Sequence, residues 1–387
     1  MQKGTGMVKM IDLQQSRNEI DRIDKQIVSL FEERMEIAKD VAAYKIKTGK
    51  KVLDKERENE KLRVLQAMAS NDFNKHGITE LFTQIMSMSR KYQYGLMSAG
   101  EQELPLKEIE SLHRDKKMKV VCFGVKGSYT EQAMEEYFNT DIECFYAPTF
   151  KEIMEVIKIG EADYGVLPIE NTSTGGIADI YDLLVEYDNY IIGEHVVKVQ
   201  QALLGLPEAK LEDIKKVYSH PQALMQCSKF LESHLHMSPV EWLSTSDSAK
   251  KVQEDQDITQ GAIASVRAAK CYKLKVLKES INHENTNSTR FIIITKKKEF
   301  IKNANKISIC FELPHESGSL YNMLSHFIYN NLNMTKIESR PLEGHAFEYR
   351  FFVDFTGNLK EPSVKNALLG IQEEAIGFRI LGNYHMV

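Results

Sequence analysis

Residues Arg17 to Lys45 sustain an alternating three-four spacing: Arg17, Ile20, Asp24, Ile27, Phe31, Arg34, Ala38, Val41, Lys45. That is the a/d stripe of a coiled coil, whose positions normally carry apolar residues against a partner helix. A helix of about 35 residues spans roughly 50 Å, well beyond a 100-residue globule with a radius of gyration near 13 Å. It must therefore pack on another chain. Arg17, Arg34 and Lys45 interrupt the stripe from inside. Unpaired cations are costly to bury, so two readings stand: register devices whose long stems reach water, or cations compensated by a polyanionic small molecule between helices.

The next segments favour the small molecule. After a polar turn at Thr48–Gly49, a second helix is expected near Asp54, with Arg57 and Glu58 in its first turns. A third is expected over 78–96, with Ile78, Phe82 and Ile85 on the face that Ser89 and Gln93 continue. That places too many polar groups inside a three-helix unit for register devices alone.

These residues resemble the all-helical chorismate mutase family over about residues 10–96. The resemblance implies a rearrangement of chorismate to prephenate, a unimolecular reaction needing no nucleophile and no proton transfer, only positioning and charge stabilisation. It implies Arg17 and Arg34 as clamps on the two carboxylates, and Lys45 and Gln93 as partners of the ether oxygen. Asp54 and Glu58 would receive the substrate hydroxyl, while Arg57 and Ser89 complete the carboxylate shell. It also implies an intertwined homodimer, with Arg17 entering the partner's site; a tetramer is the alternative.

With 387 residues, the chain suggests two or three domains. Its net charge of −5 argues against a general nucleic-acid binder. Five scattered cysteines without CxxC spacing read as reduced cytosolic thiols, and the histidines form no metal pattern. No apolar run approaches a membrane span and no hydrophobic signal core opens the chain, so a cytoplasmic protein is expected.

Residues 101–117 read as a charged linker with some helical pattern. From Lys119, β-rich runs alternate with helical ones, predicting an α/β region with largely parallel sheets in one domain or two small lobes. Polar segments follow or precede its strands. Gly127–Glu131 opens a helix whose backbone amides could hold an anion. Pro168–Gly176 contains Glu170 and Asn171. Ser219–Cys227 runs into a proline-started helix with Ser219 as the expected N-cap, and Asn287–Phe291 enters the last strand.

Together and in this order these segments resemble prephenate dehydratase across about 118–298. That implies two α/β lobes around a cleft, like type II periplasmic binding proteins, and conversion of prephenate to phenylpyruvate without metal or organic cofactor. By resemblance Thr289 is the main catalytic residue, assisting departure of the hydroxyl. Arg290 would clamp a carboxylate, Asn171, Ser219 and Gln226 would orient the substrate, and Glu170 and His220 would stand behind them.

Residues 303–387 read βαββαβ, a ferredoxin-like order. Gly318-Ser319-Leu320 and Glu338-Ser339-Arg340-Pro341 resemble the two phenylalanine-binding motifs of the ACT regulatory domain, with Ser317, Ser319 and Tyr321 departing from the usual residues. The implied whole is multidomain: a helical mutase unit (1–100), a linker (101–117), a dehydratase (118–298) and an effector-binding domain for L-phenylalanine (303–387). A non-catalytic amino-acid sensor is the different-class alternative. The retained polar residues in both sites argue against it.

Overall fold

The computed structural model describes residues 12–98, 104–112, 118–139, 142–283 and 286–386. Its helices are α1 Leu13–Thr48, α2 Lys55–Ala67, α3 Asp72–Ser98, α4 Tyr129–Phe138, α5 Phe150–Ile159 and α6 Ala178–Glu186. They continue with α7 Pro221–Gln226, α8 Ser228–Glu232, α9 Thr245–Asp255, α10 Val266–Tyr272, α11 Ser319–Tyr329 and α12 Pro362–Glu374. The strands begin with β1 Lys107–Ile109, β2 Met118–Phe123, β3 Ile142–Ala147, β4 Tyr164–Asn171, β5 Gly175–Gly176 and β6 Tyr190–Lys198. The second group is β7 Ala202–Gly205, β8 Lys216–Ser219, β9 Ser238–Glu241, β10 Gln260–Ala264, β11 Lys275–Lys278 and β12 Ser288–Thr295. The last are β13 Glu299–Ile301, β14 Lys306–Glu312, β15 Met334–Pro341, β16 Tyr349–Thr356 and β17 Ile376–Tyr384.

The chain divides into two compact units, and the division does not follow sequence order. Helices α1–α3 form the first unit together with residues 318–331 and 362–374, which carry α11 and α12. The remaining described residues form the second.

In the first unit, Asp12 caps α1 by accepting from the Gln14 and Gln15 amides at 2.9 and 3.1 Å, and Gly49 ends it in the left-handed conformation. Small side chains, Ala38 and Ala42, are the buried residues of α1. They let α3 come close, and α3 in turn packs along α12. Over its C-terminal half α3 buries Ser87, Ser89, Arg90, Lys91 and Gln93 beside Met86 and Tyr94. A stripe this polar persists only if its groups are paired or meet a ligand. Much of the a/d seam stays open within the chain: Ile20 and Ile27 are 56% and 51% exposed.

The second unit is built on two large sheets. One has strand order β11-β7-β10-β8-β9 around a core that includes Leu203, Leu204, Val217, Val252 and Ile263. The other runs β15-β16-β14-β17-β6-β12-β4-β2-β3, with β5 pairing β4 at the side. The expectation of largely parallel sheets needs correction. β3-β2-β4 and β9-β8-β10 are parallel, but β12 is antiparallel to both β4 and β6, and β7 to both β10 and β11. The chain leaves the first lobe after β6, builds the second, and returns as β12 between β6 and β4. The returning strand runs against its neighbours.

The expected linker is also different. Residues 101–103 and 113–117 lie outside the described residues, but Lys107–Ile109 is a strand paired in parallel with β13. Leu106, Ile109 and Leu112 are buried. Their spacing of three reads as helical and hid the strand. The strands of the C-terminal region, ordered β15-β16-β14-β17, continue the first lobe's sheet through Gly382 against Ile191. A Cβ on Gly382 would lie 2.1 Å from the Ile191 carbonyl oxygen, so only glycine permits this approach. Among the described residues no helix is long and apolar enough to cross a membrane.

Candidate active sites

In the first unit, the functional residues expected from sequence lie on α1, on α3 and at the start of α2. Arg34 and Lys45 are half-buried on α1, and burial lowers both pKa values. Glu58 opposes that effect at Arg34. At Lys45 the carboxylates of Asp54, Glu373 and Glu58 oppose it, and Arg57 adds to it. Glu58 is thus the electrostatic neighbour common to both cations. Lys45 Nζ donates to the Val52 carbonyl at 2.7 Å, which anchors the turn leading into α2. Asp54 caps α2, accepting from the Arg57 amide at 3.1 Å, so one of its oxygens has a structural task. Arg57 is exposed, and so is Arg17.

Two atoms of this set are buried without a partner: Arg34 Nη1 and Gln93 Oε1. Gln93 donates through Nε2 to the Ser89 carbonyl and hydroxyl at 3.2 and 3.3 Å, one turn earlier. That leaves its acceptor unsatisfied, while Arg34 retains an unused donor. Buried polar groups are rarely orphaned, and a donor and an acceptor both left open suit a polar ligand.

Sequence reasoning missed Arg90. Its Nη1 donates to both oxygens of Glu58 at 2.7 and 2.6 Å, and its Nε donates to Glu374 at 2.8 Å. A charged residue with only 9% of its side chain exposed signals such pairing, but its partners are not sequence neighbours.

In the second unit, Thr289 and Asn171 are paired across β12 and β4. Asn171 Nδ2 donates to Thr289 Oγ1 at 2.9 Å, with Asn287 Oδ1 at 2.8 Å also in reach. Asn171 Oδ1 accepts from the Ser173 amide and hydroxyl at 3.0 and 2.5 Å, and Gln226 Nε2 donates to Ser173 Oγ at 3.2 Å. A continuous hydrogen-bonded path thus joins α7 of the second lobe to Thr289 of the first. In the sequence Asn287 stands out only as part of the Asn287–Phe291 motif. It is 1% exposed and its Nδ2 has no partner, so it adds an unused donor beside Thr289.

Three site expectations are corrected. Ser219 is fully buried, and its hydroxyl donates to the Ile263 carbonyl at 2.6 Å, tying β8 to β10. It neither orients a ligand nor caps α7, because the cap is His220, whose Nδ1 accepts from the Gln222 amide at 3.3 Å. The Gly127 amide does not await an anion, since Glu131 Oε2 already accepts from it at 2.6 Å. Arg290 does not stand beside Thr289. Successive strand residues point to opposite faces, and Arg290 donates to Glu170 at 3.0 and 3.1 Å, to Glu194 at 3.1 Å and to Asp354 at 3.0 Å. Lys306 pairs with Glu194 at 2.8 Å and Lys336 with Glu170 at 2.7 Å. This ionic network spans β4, β6, β12, β14, β15 and β16. Arg290 therefore serves as a link between strands, with four of its five N–H groups bonded to carboxylates of its own chain.

Of the expected effector residues, Gly318 caps α11 at φ 82°, a conformation that favours glycine, and Ser319 and Leu320 open the helix. Glu338, Ser339, Arg340 and Pro341 end β15, where Arg340 pairs with Asp182 at 2.7 Å. The two segments belong to different units.

Residues 16–94 match the chorismate mutase type II family, and residues 120–299 match prephenate dehydratase. The bifunctional chorismate mutase/prephenate dehydratase of Aquifex aeolicus is 33% identical over 378 residues, covering 97% of this chain and 98% of that protein. The structure of prephenate dehydratase from Arthrobacter aurescens, in complex with L-Phe, is 29% identical with a TM-score of 0.64, covering 69% of this chain and 90% of that one. The structure of GqqA, described as a novel type of quorum quenching acylase, is 27% identical with a TM-score of 0.65 and corresponding coverages of 70% and 98%.

Proposed function

We propose that this chain, which belongs to the bifunctional chorismate mutase/prephenate dehydratase family, rearranges chorismate to prephenate in its helical unit and converts prephenate to phenylpyruvate in its two-lobed region. The observation that carries the first assignment is the pair of buried, unpartnered atoms, Arg34 Nη1 and Gln93 Oε1. Arg34 takes a substrate carboxylate, a task suited to the guanidinium fork. Lys45 stabilises the charge that grows on the ether oxygen as the carbon–oxygen bond breaks, and Gln93 completes the polar wall. Glu58 and Asp54 receive the substrate hydroxyl, with Arg57 and Ser89 at the carboxylate shell.

A homodimer covers the apolar seam of α1 and brings Arg17 to the partner's site. Its exposed Ile20, Ile23 and Ile27 support this reading.

In the second reaction, loss of carbon dioxide sends its bonding electrons into the ring as the hydroxyl departs with its own pair and takes up a proton. Aromatisation drives the step. Thr289 Oγ1 accepts from Asn171, so its own O–H is free to donate to the leaving hydroxyl. A threonine hydroxyl is a weak acid, and it acts as an oriented donor within a proton relay. Gln226 and Asn171 hold the substrate from the two lobes. The C-terminal region is an ACT domain of ferredoxin-like order, through which L-phenylalanine inhibits, with Gly318–Leu320 and Glu338–Pro341 as the binding segments. The enzyme works in the cytoplasm and uses no cofactor.

One coupled assay tests the division. Fed with chorismate, the wild-type protein forms prephenate and then phenylpyruvate. Lys45→Ala lowers mutase kcat on the order of 10²–10³-fold and leaves turnover of supplied prephenate intact. Equal loss of both activities in a folded variant overturns the two-site assignment.

A further inference from the structure

Arg90, Glu373 and Glu374 have no place in the mechanism above, yet Arg90 holds Glu58 directly, and the two glutamates hold Arg90 and the turn on which Lys45 is anchored. Glu373 and Glu374 are the last residues of α12, and in sequence Glu373 stands 321 residues after Val52. The Val52 and Leu53 amides donate to Glu373 Oε2 at 3.0 and 3.1 Å. The Val52 carbonyl, on the other side of the same residue, receives Lys45 Nζ at 2.7 Å. Tyr94 Oη, on fully buried Tyr94, donates to Glu373 at 3.1 Å. Glu374 holds Arg90 Nε at 2.8 Å, and Arg90 holds both oxygens of Glu58. The Arg90 and Glu374 side chains are only 9% and 10% exposed. Helix α12 thus grips the turn before α2 and, through Arg90, the first turn of α2 itself.

We propose that Glu373 and Glu374 are positioning residues of the mutase site, Glu373 by fixing the Val52–Leu53 turn that orients Lys45 and Glu374 by fixing Arg90 against Glu58. The inference rests on the assignment of Lys45 and Glu58 to chorismate rearrangement. Neither glutamate touches substrate. Each supplies a charge-assisted hydrogen bond at a partly buried position, and misplacing a reacting group costs rate more than binding. Glu373 has a second effect, because it is one of the carboxylates that offset the burial of the Lys45 ammonium. The charged groups around Lys45 are Asp54, Glu373 and Glu58, which favour its protonated form, and Arg57, which opposes it. Neutralising Glu373 removes one favourable charge, so Lys45 gives up its proton at lower pH.

The test uses the full-length protein with the substitutions Glu373→Gln, Glu373→Asp, Glu374→Gln and Arg90→Lys, and follows chorismate rearrangement across pH. Circular dichroism confirms folding. Glu373→Gln is expected to lower mutase kcat roughly ten-fold or more, the scale of one lost hydrogen bond to a charged group, with a smaller change in KM. The alkaline limb of its pH profile moves to lower pH. Glu373→Asp, which keeps the charge, returns that limb towards the wild-type position. Glu374→Gln and Arg90→Lys lower kcat and move the limb less than Glu373→Gln, because they reach Lys45 only through Glu58. A folded Glu373→Gln protein with wild-type kcat and pH profile overturns the proposal, provided Lys45→Ala in the same assay is disabled. If Lys45→Ala is active, the assignment of the site itself fails.

Discussion

Asn171 donates to the hydroxyl of Thr289 at 2.9 Å across two neighbouring antiparallel strands. With Thr289 Oγ1 accepting there, its own O–H is left to donate elsewhere, which is how the proposed dehydration step uses it. Thr289→Val keeps the branched shape, removes the donor, and should lower prephenate turnover roughly 10²–10³-fold. Chorismate consumption should continue, so prephenate accumulates. Asn171→Ala should give a smaller loss, because the hydroxyl remains but is free to rotate. Stopped-time product analysis checks both, and a Thr289→Val enzyme of near wild-type rate would remove Thr289 from the chemistry.

Arg290 predicts a stability effect. Its network is buried, with Glu194, Lys306 and Asp354 side chains only 2%, 6% and 13% exposed. Asp354→Asn removes one of the three carboxylates that Arg290 meets and leaves Glu170 and Glu194 in place, and that should destabilise the second unit by about 1–3 kcal/mol. Denaturant unfolding followed by tryptophan fluorescence measures it, since the single tryptophan, Trp242, lies in this unit. A change below about 0.5 kcal/mol, the scale of an ordinary surface substitution, contradicts a structural role for the network.

Glu374 predicts an acid-sensitive contribution. Burial raises its pKa, but His326 and Arg90 outweigh that and hold it down at about 2, against an ordinary 4.5. A depressed carboxylate stabilises the fold above its unfolded pKa, and that contribution is lost as pH falls through the folded value. The window is therefore about pH 4.5 down to about 2, and the shift corresponds to an order of 3 kcal/mol. Across that window the wild-type protein should lose more stability than Glu374→Gln. Parallel acid unfolding curves for the two proteins would be the contrary result.

Gly318 predicts how effector binding fails. L-phenylalanine should bind and lower dehydratase turnover with a coupling of about 1–3 kcal/mol. Gly318 sits at φ 82°, which asparagine tolerates far better than a β-branched residue. Gly318→Asn should fold and bind weakly, and Gly318→Val should abolish inhibition while both reactions persist. Calorimetry with L-phenylalanine, paired with turnover at saturating ligand, decides it. Absence of binding heat and unchanged turnover at millimolar ligand in the wild-type protein would remove the regulatory role.

The long helix, its cationic seam, the start of α2 near Asp54 and the entry of Thr289 into its strand are legible in the amino-acid sequence. These are set by residues near one another in the chain, through helical and strand periodicity and cap chemistry. The rest depends on long-range packing. That packing inserted β12 antiparallel between β4 and β6 and thereby turned Arg290 away from Thr289 towards the carboxylates of Glu170, Glu194 and Asp354 on three other strands. It filled the Gly127 turn with the Glu131 carboxylate, sank the Ser219 hydroxyl against Ile263, and brought Glu373 and Glu374 to the turn and arginine that serve Lys45 and Glu58. A residue type announces that a charge needs a partner. Which partner it meets depends on strand order and helix packing, and those arise from burial summed over the whole chain rather than from any local pattern.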